Sequence, residues 1–288
     1  MRLHEILATE ELAIHEPALG NILARLTPFF ARLTRNEEAG VEGALAREEN
    51  LSLADFIVGR RDYAVDANGI ATIHVNDVLG RGLARIDQIF GMTDYNSLIA
   101  EFNDAARDGA VRGILLDVGS PGGSVVGMEE AAAAVANAAA AKPVVAMIEQ
   151  IGASAAYALS VQATAIVASA SAIVGSIGTI SSFTNIAGML ERFGVKVEQF
   201  TSGDLKASGT PYRAMTLPEA TFLNERTQSL GADFRAMVSA ARPSVQASSM
   251  RGQWFSGKQA ASLGLVDQVG SKADAMEALL SLVGYSGH

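Results

Sequence analysis

Residues Gly113-Ile-Leu-Leu-Asp-Val-Gly-Ser-Pro-Gly-Gly123 carry an apolar run into a glycine pair, and the pattern returns at Pro143-Val-Val-Ala-Met-Ile-Glu-Gln-Ile-Gly-Ala-Ser154. Each run is short and nearly continuously apolar, which reads as a strand buried on both faces. Between them Ser124 to Ala140 is rich in alanine and reads as a close-packed helix. Buried strand, helix, buried strand is the repeating unit of a parallel sheet, and it decides the fold class.

Outward from this unit the alternation continues. Gly69 to Val75 reads as a strand and Tyr95 to Arg107 as a helix. Downstream come helix Ser154 to Gln162, strand Thr164 to Ala168, helix Thr184 to Phe193 and strand Val195 to Phe200. Pro218 suits the first turn of a long helix reaching about Ala241. A short helix from Ser256, a strand Leu265 to Val269 and a helix from Lys272 follow. The prediction is an α/β protein with a mainly parallel sheet flanked by helices. Residues 1–60 differ, with short helical patterns between acidic stretches. Leu19, Ile22, Leu23, Leu26 and Phe30 fall at spacings of three and four, one apolar stripe that packs on its own domain or on a partner. The expected organisation is an N-terminal helical arm, 1–60, and a catalytic domain, 61–288.

With 288 residues, 49% of them hydrophobic and 18% charged, the chain can bury a proper core, which excludes disorder as its main state. Lys plus Arg is 22 against 31 for Asp plus Glu, a net charge of −9 that repels nucleic acid and anionic lipid. The absence of cysteine removes a thiol nucleophile, a disulfide framework and thiolate-bound zinc; no metal or cofactor is expected. No stretch approaches a membrane span, and the N-terminus carries acids where a signal peptide needs a basic start. The expectation is an intracellular protein with no membrane anchor.

Both glycine turns follow apolar strands, where open α/β sheets place their sites. Gly122 and Gly123 precede a helix start and leave backbone N–H groups uncovered, which suits an oxyanion, or simply makes a tight turn. Ser154 opens a helix after a buried strand, so its hydroxyl can project over the sheet edge beside the Ala155 N–H, or merely cap that helix. A serine nucleophile needs a base. His4 and His15 lie in the arm and His288 is last, leaving His74, which lies in a strand well before both turns. Of five lysines, Lys142, Lys196, Lys258 and Lys272 occupy ordinary solvated positions, whereas Lys206 sits in Thr-Ser-Gly-Asp-Leu-Lys-Ala-Ser-Gly-Thr210, directly after a predicted strand. A lysine amine stripped of water loses its proton more readily and can then accept one from a serine. Ser176, between glycines in Val174-Gly-Ser-Ile-Gly-Thr179, could orient such an amine or serve only as a turn residue.

Jointly, Asp117-x-x-Ser-Pro-Gly-Gly123, Ser154 followed by Ala-Ala-Tyr, Gly175-Ser-Ile-Gly178 and Lys206 resemble the signal peptide peptidase A (SppA) family of serine–lysine peptidases. Ser154 stands 22 residues before Ser176 and 52 before Lys206, as in single-domain bacterial members. The stretch Trp254 to Asp267, ending Gly-Leu-Val-Asp, is similar to the family's closing segment, and the likeness covers about residues 65 to 285. The resemblance implies a ClpP/crotonase-like fold in which Ser154 attacks a peptide carbonyl and Lys206 is general base and then acid. Ser176 would hold the lysine, and N–H groups of Gly122, Gly123 and Ala155 would form the oxyanion hole. It further implies extended substrates with small or apolar residues before the cut, and a homo-oligomer of ring or bowl form.

Two features depart from the membrane-bound bacterial branch: no N-terminal anchor is expected from this sequence, and Ala-Ala-Tyr stands where many members have Gly-Gly-Tyr after the expected nucleophile. The arm, with Ile14-His-Glu-Pro-Ala-Leu-x-x-Ile-Leu23, instead resembles the tailed-phage head-maturation proteases, which act on scaffold, capsid or portal proteins. That places the protein in a prohead or a bacterial host cytoplasm. The alternatives are a soluble SppA-like peptidase degrading signal peptides or misfolded protein, a crotonase-type acyl-CoA enzyme, and an inactive shell-associated protein.

Overall fold

The computed structural model describes residues 12–14, 63–84, 87–88 and 91–284. Its strands are β1 (Leu12–Ile14), β2 (Ala64–Val65), β3 (Ile70–Gly80), β4 (Thr93–Asp94), β5 (Gly113–Ser124), β6 (Val144–Ala153), β7 (Ala165–Ala168), β8 (Ile173–Gly175), β9 (Trp254–Ser256) and β10 (Gln268–Val269). The helices are α1 (Tyr95–Arg107), α2 (Met128–Ala141), α3 (Ala155–Ser160), α4 (Ala187–Arg192), α5 (Leu217–Ala241), α6 (Gly257–Ser262) and α7 (Lys272–Leu282). The backbone of the sheet runs β10-β7-β6-β5-β3-β2, and the contacts from β10 to β3 are all parallel. This is the mainly parallel, helix-flanked sheet that the alternating pattern predicts.

Helices cover both faces, which is why the central strands read as continuous apolar runs. On one face Ile73, Val75, Leu116, Val118, Ala146 and Ile148 pack under α1, α2 and α3, with Phe102, Val135, Tyr157 and Leu159 fully buried among them. On the other, Leu115, Val145, Met147 and Val167 meet Ala275 and Leu279 of α7. Each such large side chain removed from water stabilises the fold by about 1.5–3 kcal/mol.

Three expectations change. The Ser-Pro-Gly-Gly123 segment is no turn: it continues β5 to Ser124, pairing Val78 with Gly122 and Leu79 with Gly123. A Cβ on Gly123 would lie 1.9 Å from the Leu79 carbonyl oxygen, so that glycine serves close strand approach, while Gly122, at φ 103°, serves backbone conformation. The helix expected from Ser124 consequently starts at Met128. Finally, Val195 to Phe200 forms no strand; these residues are exposed, and among the described residues no neighbouring strand supplies the hydrogen bonds that β structure needs. Within the expected arm, Leu12–Ile14 is a strand; the apolar stripe from Leu19 to Phe30 lies outside the described residues.

Candidate active site

β6 pairs with β8 from Ile151 to Ala153, Ala153 opposite Gly175, and beyond Gly152, paired with Ser120, it leaves β5. The sheet splits at this point, and Ser154 stands at the split, between the end of β6 and the start of α3. Its backbone has φ 54° and ψ −122°, a conformation that non-glycine residues adopt at a cost of roughly 1–3 kcal/mol. Surroundings hold it there: the Ser154 N–H donates to the Gly175 carbonyl (2.7 Å), and α3 behind it is wholly buried. The Tyr157 hydroxyl donates to the Leu265 carbonyl (2.8 Å), pinning the helix; burial pushes the Tyr157 phenol well above its ordinary range.

The Ser154 side chain is 1% exposed, makes no helix-capping hydrogen bond, and its Oγ has no hydrogen-bond partner. A capping role is thereby excluded. A buried hydroxyl without a partner costs about 1–3 kcal/mol and calls for a reason.

Ser176 also has positive φ (53°) and is nearly buried; its N–H donates to the Gln253 carbonyl (2.7 Å). Through the β6–β8 register it comes one residue after the partner of Ala153, so the structure does bring Ser154 and Ser176 to the same sheet end. Lys206 makes no hydrogen bond to either serine. It lies exposed in a turn whose backbone bonds run Lys206 N–H to Gly203 and Ser208 N–H to Leu205. The partnerless state of the Ser154 Oγ shows that the Lys206 amine is beyond hydrogen-bond reach of it.

Among the expected oxyanion donors, the Gly122 N–H is engaged by the Ser120 Oγ (3.1 Å), whose own proton goes to the Asp77 carbonyl. Ala155 is the first residue of α3, where an N–H has no intrahelical acceptor. Gly123 adjoins the edge that β6 has vacated. There β1 lies antiparallel, Leu12 opposite Ser124, Ala13 opposite Gly123 and Ile14 opposite Gly122.

His74 belongs elsewhere. It pairs across the sheet with Asp117 (Nδ1 to Oδ2, 3.2 Å), seven residues below the Ser154 level of β6, and Lys272 binds the same Asp117 oxygen at 2.7 Å. Asp117, despite its place in the motif, therefore ties α7 to the sheet. Lys142 is also less ordinary than expected: its ammonium donates to the carbonyls of Ala105 and Asp108, and burial lowers its affinity for a proton. Asp267 of the closing segment accepts from the Ile166 N–H (2.7 Å) and pairs with Arg242. Burial alone would raise its pKa; the Arg242 guanidinium and the Ile166 N–H outweigh that, and the carboxyl stays below its ordinary range. The segment thus fastens β7 and α3. Among the described residues no group of His, Asp or Glu converges as a metal site, and no helix is long and apolar enough to cross a membrane.

Sequence reasoning missed the far side of Ser176. There Thr179, Gly231, Arg235, Met250, Arg251 and Trp254 line a cleft of about 670 Å3. The available signal was Gly231 in the middle of a long helix, four residues before Arg235.

Peptidase family S49 matches residues 136–286, a stretch holding Ser154, Ser176 and Lys206. The chain belongs to peptidase family S49. Its relatives include the capsid assembly protease C of Escherichia phage lambda, 34% identical over 218 residues, 75% of this chain and 49% of that one. The head-tail preconnector protein GP5 of Enterobacteria phage P21 is 29% identical, over 76% of this chain and 44% of the phage protein. A Methanocaldococcus jannaschii protein named as a candidate protease is 36% identical over 64% of this S49 chain and 60% of its own length. The S49 chain therefore spans about half the length of the curated relatives it matches. A solved enoyl-CoA hydratase of Mycobacterium smegmatis is 16% identical, covering 77% of this chain and 75% of that one with a TM-score of 0.42.

Proposed function

We propose that this S49 protein is a serine endopeptidase in which Ser154 is the nucleophile, Lys206 the general base and then acid, and Ser176 the group that positions the lysine amine. The observation that carries the reading is Ser154 itself: a strained, buried residue at a strand-to-helix junction, its hydroxyl without a partner. Strain of this kind collects at functional sites, and a sharp turn between strand and helix displays a nucleophile. The N–H groups of Gly123 and Ala155 would receive the carbonyl oxygen of the tetrahedral intermediate, joined by Gly122 if the Ser120 hydroxyl releases it. Attack transfers the Ser154 proton to a neutral Lys206 amine; collapse returns that proton to the leaving amine, and water then hydrolyses the acyl-enzyme.

Within one chain the dyad is open, and the segment carrying Lys206 indicates how it closes. Met189, Phe193, Val195, Val197, Phe200, Leu205 and Leu217 are all exposed, Phe200 at 93%. So much exposed apolar surface marks a protein contact. Packing this segment on a second copy would remove water from Lys206 and bring it to a Ser154. The substrate would lie extended along Gly122–Ser124, displacing β1 from that edge. The kinship with the phage lambda capsid assembly protease favours scaffold, capsid or portal protein as substrate during head maturation. The archaeal relative favours a second reading, a peptidase working outside any virion.

Incubating wild type and Ser154→Ala with a flexible, alanine-rich protein, and reading the cuts by intact mass, tests the proposal. Cleavage is expected from wild type and a loss of at least about a thousandfold from the variant; equal cleavage by both removes Ser154 from the mechanism.

A further inference from the structure

The cleft beyond Ser176 is bounded by the β8–α4 connection, by the middle of α5 and by residues 247–254. Its walls are tied together: the Ser176 N–H donates to the Gln253 carbonyl (2.7 Å), the Gly252 N–H to the Ile177 carbonyl (3.0 Å), and the Thr179 hydroxyl to the Thr227 carbonyl (2.8 Å). Gln253 fixes its own loop, donating to the Ser248 carbonyl and accepting from the Arg251 N–H, both at 2.7 Å. The neutral polar groups of the walls are thus largely occupied with one another.

Its two charged side chains are not. Arg235 and Arg251 both line the cleft, and neither guanidinium has a hydrogen bond or an ion pair among the described residues; no Asp or Glu is among the lining residues. In a chain with 31 acidic and 22 basic residues, two arginines sharing a cleft without a carboxylate depart from the general charge balance. Arg235 is also accommodated at a cost. A Cβ on Gly231 would come 3.1 Å from an Arg235 guanidinium nitrogen and 3.3 Å from the Thr179 Oγ1. A glycine inside a helix is destabilising by roughly 0.5–1 kcal/mol relative to alanine, and here its bare backbone leaves room for that guanidinium against the cleft wall. Guanidinium groups recognise carboxylates through charge-assisted, often bidentate hydrogen bonds.

We propose that this cleft is a carboxylate subsite, which selects peptide substrates bearing an acidic group near the bond to be cut. The inference rests on the peptidase reading for its biological sense, since Ser176 joins the cleft to Ser154, but not for its test. The carboxylate could come from a glutamate or aspartate side chain or from a peptide C-terminus; the chemistry is shared.

Trp254 is the chain's one tryptophan, lines the cleft and is 52% exposed, so its fluorescence reports occupancy directly. The experiment titrates Ser154→Ala protein, which consumes nothing, with three alanine peptides: one blocked at both ends with a central glutamate, the same with glutamine there, and an all-alanine peptide blocked only at its N-terminus, with a free C-terminal carboxylate. The glutamate or the free-carboxylate peptide is expected to bind at least about tenfold tighter than the glutamine peptide, and whichever does so identifies the source. The advantage should shrink as salt is raised, and should vanish in Arg235→Gln and in the more exposed Arg251→Gln. Equal binding of all three peptides, or a preference that survives both substitutions, overturns the subsite. Because the readout needs no turnover, it decides this question even if Ser154 proves not to be a nucleophile.

Discussion

The two halves of the proposed dyad stand in opposite surroundings. Around Ser154, β5, β6 and α3 are almost entirely buried and the backbone is anchored by Gly175 and Tyr157. Around Lys206, from Ser181 to Leu217, most residues are exposed and nearly every hydrogen bond is local, joining residues a few positions apart. The Ile186 N–H to Pro211 carbonyl bond is an exception. The proposed nucleophile is placed by the folding of one chain; the proposed base sits on a segment whose apolar side chains stay exposed. If Ser154 and Lys206 act together, a site divided in this way keeps the serine without its base until the exposed segment packs, which would couple activity to assembly.

The largest effect should come from separating the halves. Lys206→Ala is expected to lower turnover by at least about a thousandfold, like Ser154→Ala, while its thermal midpoint stays within a degree or two of wild type, because an exposed turn lysine makes no packing contact. Mixing the two inactive proteins under conditions of subunit exchange then distinguishes closure within a chain from closure between chains. A base supplied by a neighbour restores about a quarter of the sites, by random pairing across a head-to-tail interface; a base supplied by the same chain restores none.

A milder break acts on the apolar surface alone. Phe200→Ser combined with Leu217→Ser removes two of the most exposed apolar side chains. Assembly measured by sedimentation should weaken, with activity at low protein concentration falling by about tenfold or more. Monomer unfolding should hardly change, since exposed positions usually contribute within ±0.5 kcal/mol. Unchanged assembly and unchanged activity would mean that the segment folds back on its own chain.

The same division explains what was legible in the sequence. Strands β5, β6 and β7 and helices α1, α2, α5 and α7 followed from apolar runs and from Pro218, because burial on both faces leaves a pattern that does not depend on partners. The strand expected at Val195 to Phe200 failed for the converse reason: its alternating residues carry strand propensity, and propensity without a pairing edge makes no sheet. The Ser-Pro-Gly-Gly segment was misread as a turn because glycine signals both positive φ and close approach; Gly122 shows the first and Gly123 the second. Ser154 and Ser176 could be located by spacing, whereas the Arg235 and Arg251 cleft could not, since the pairing of a mid-helix position with a distant loop exists only in three dimensions. Asp117 and Asp267, prominent in the motifs, hold the frame through Lys272, Arg242 and Ile166.

The smallest effect tests the frame itself, and it runs against activity. If Ser154 is kept at φ 54° for its chemistry, then the residue that best tolerates this backbone should make a more stable and inactive protein. Ser154→Gly removes both the strained side chain and the partnerless buried hydroxyl. Against these gains stand the loss of a few packed atoms and the greater freedom of glycine in the unfolded chain. The strain relieved is worth about 1–3 kcal/mol and the opposing entropy about 0.4–1 kcal/mol, so a net gain near 1 kcal/mol is expected. For a domain of this size that corresponds to a rise of roughly 2–4 °C in the thermal midpoint. Ser154→Ala keeps the Cβ and therefore the strain, and should gain less than the glycine variant. A midpoint that falls in Ser154→Gly, or one that rises equally in both, would mean that the backbone at the β6–α3 junction is not under strain, and that the case for Ser154 rests on its unpaired hydroxyl alone.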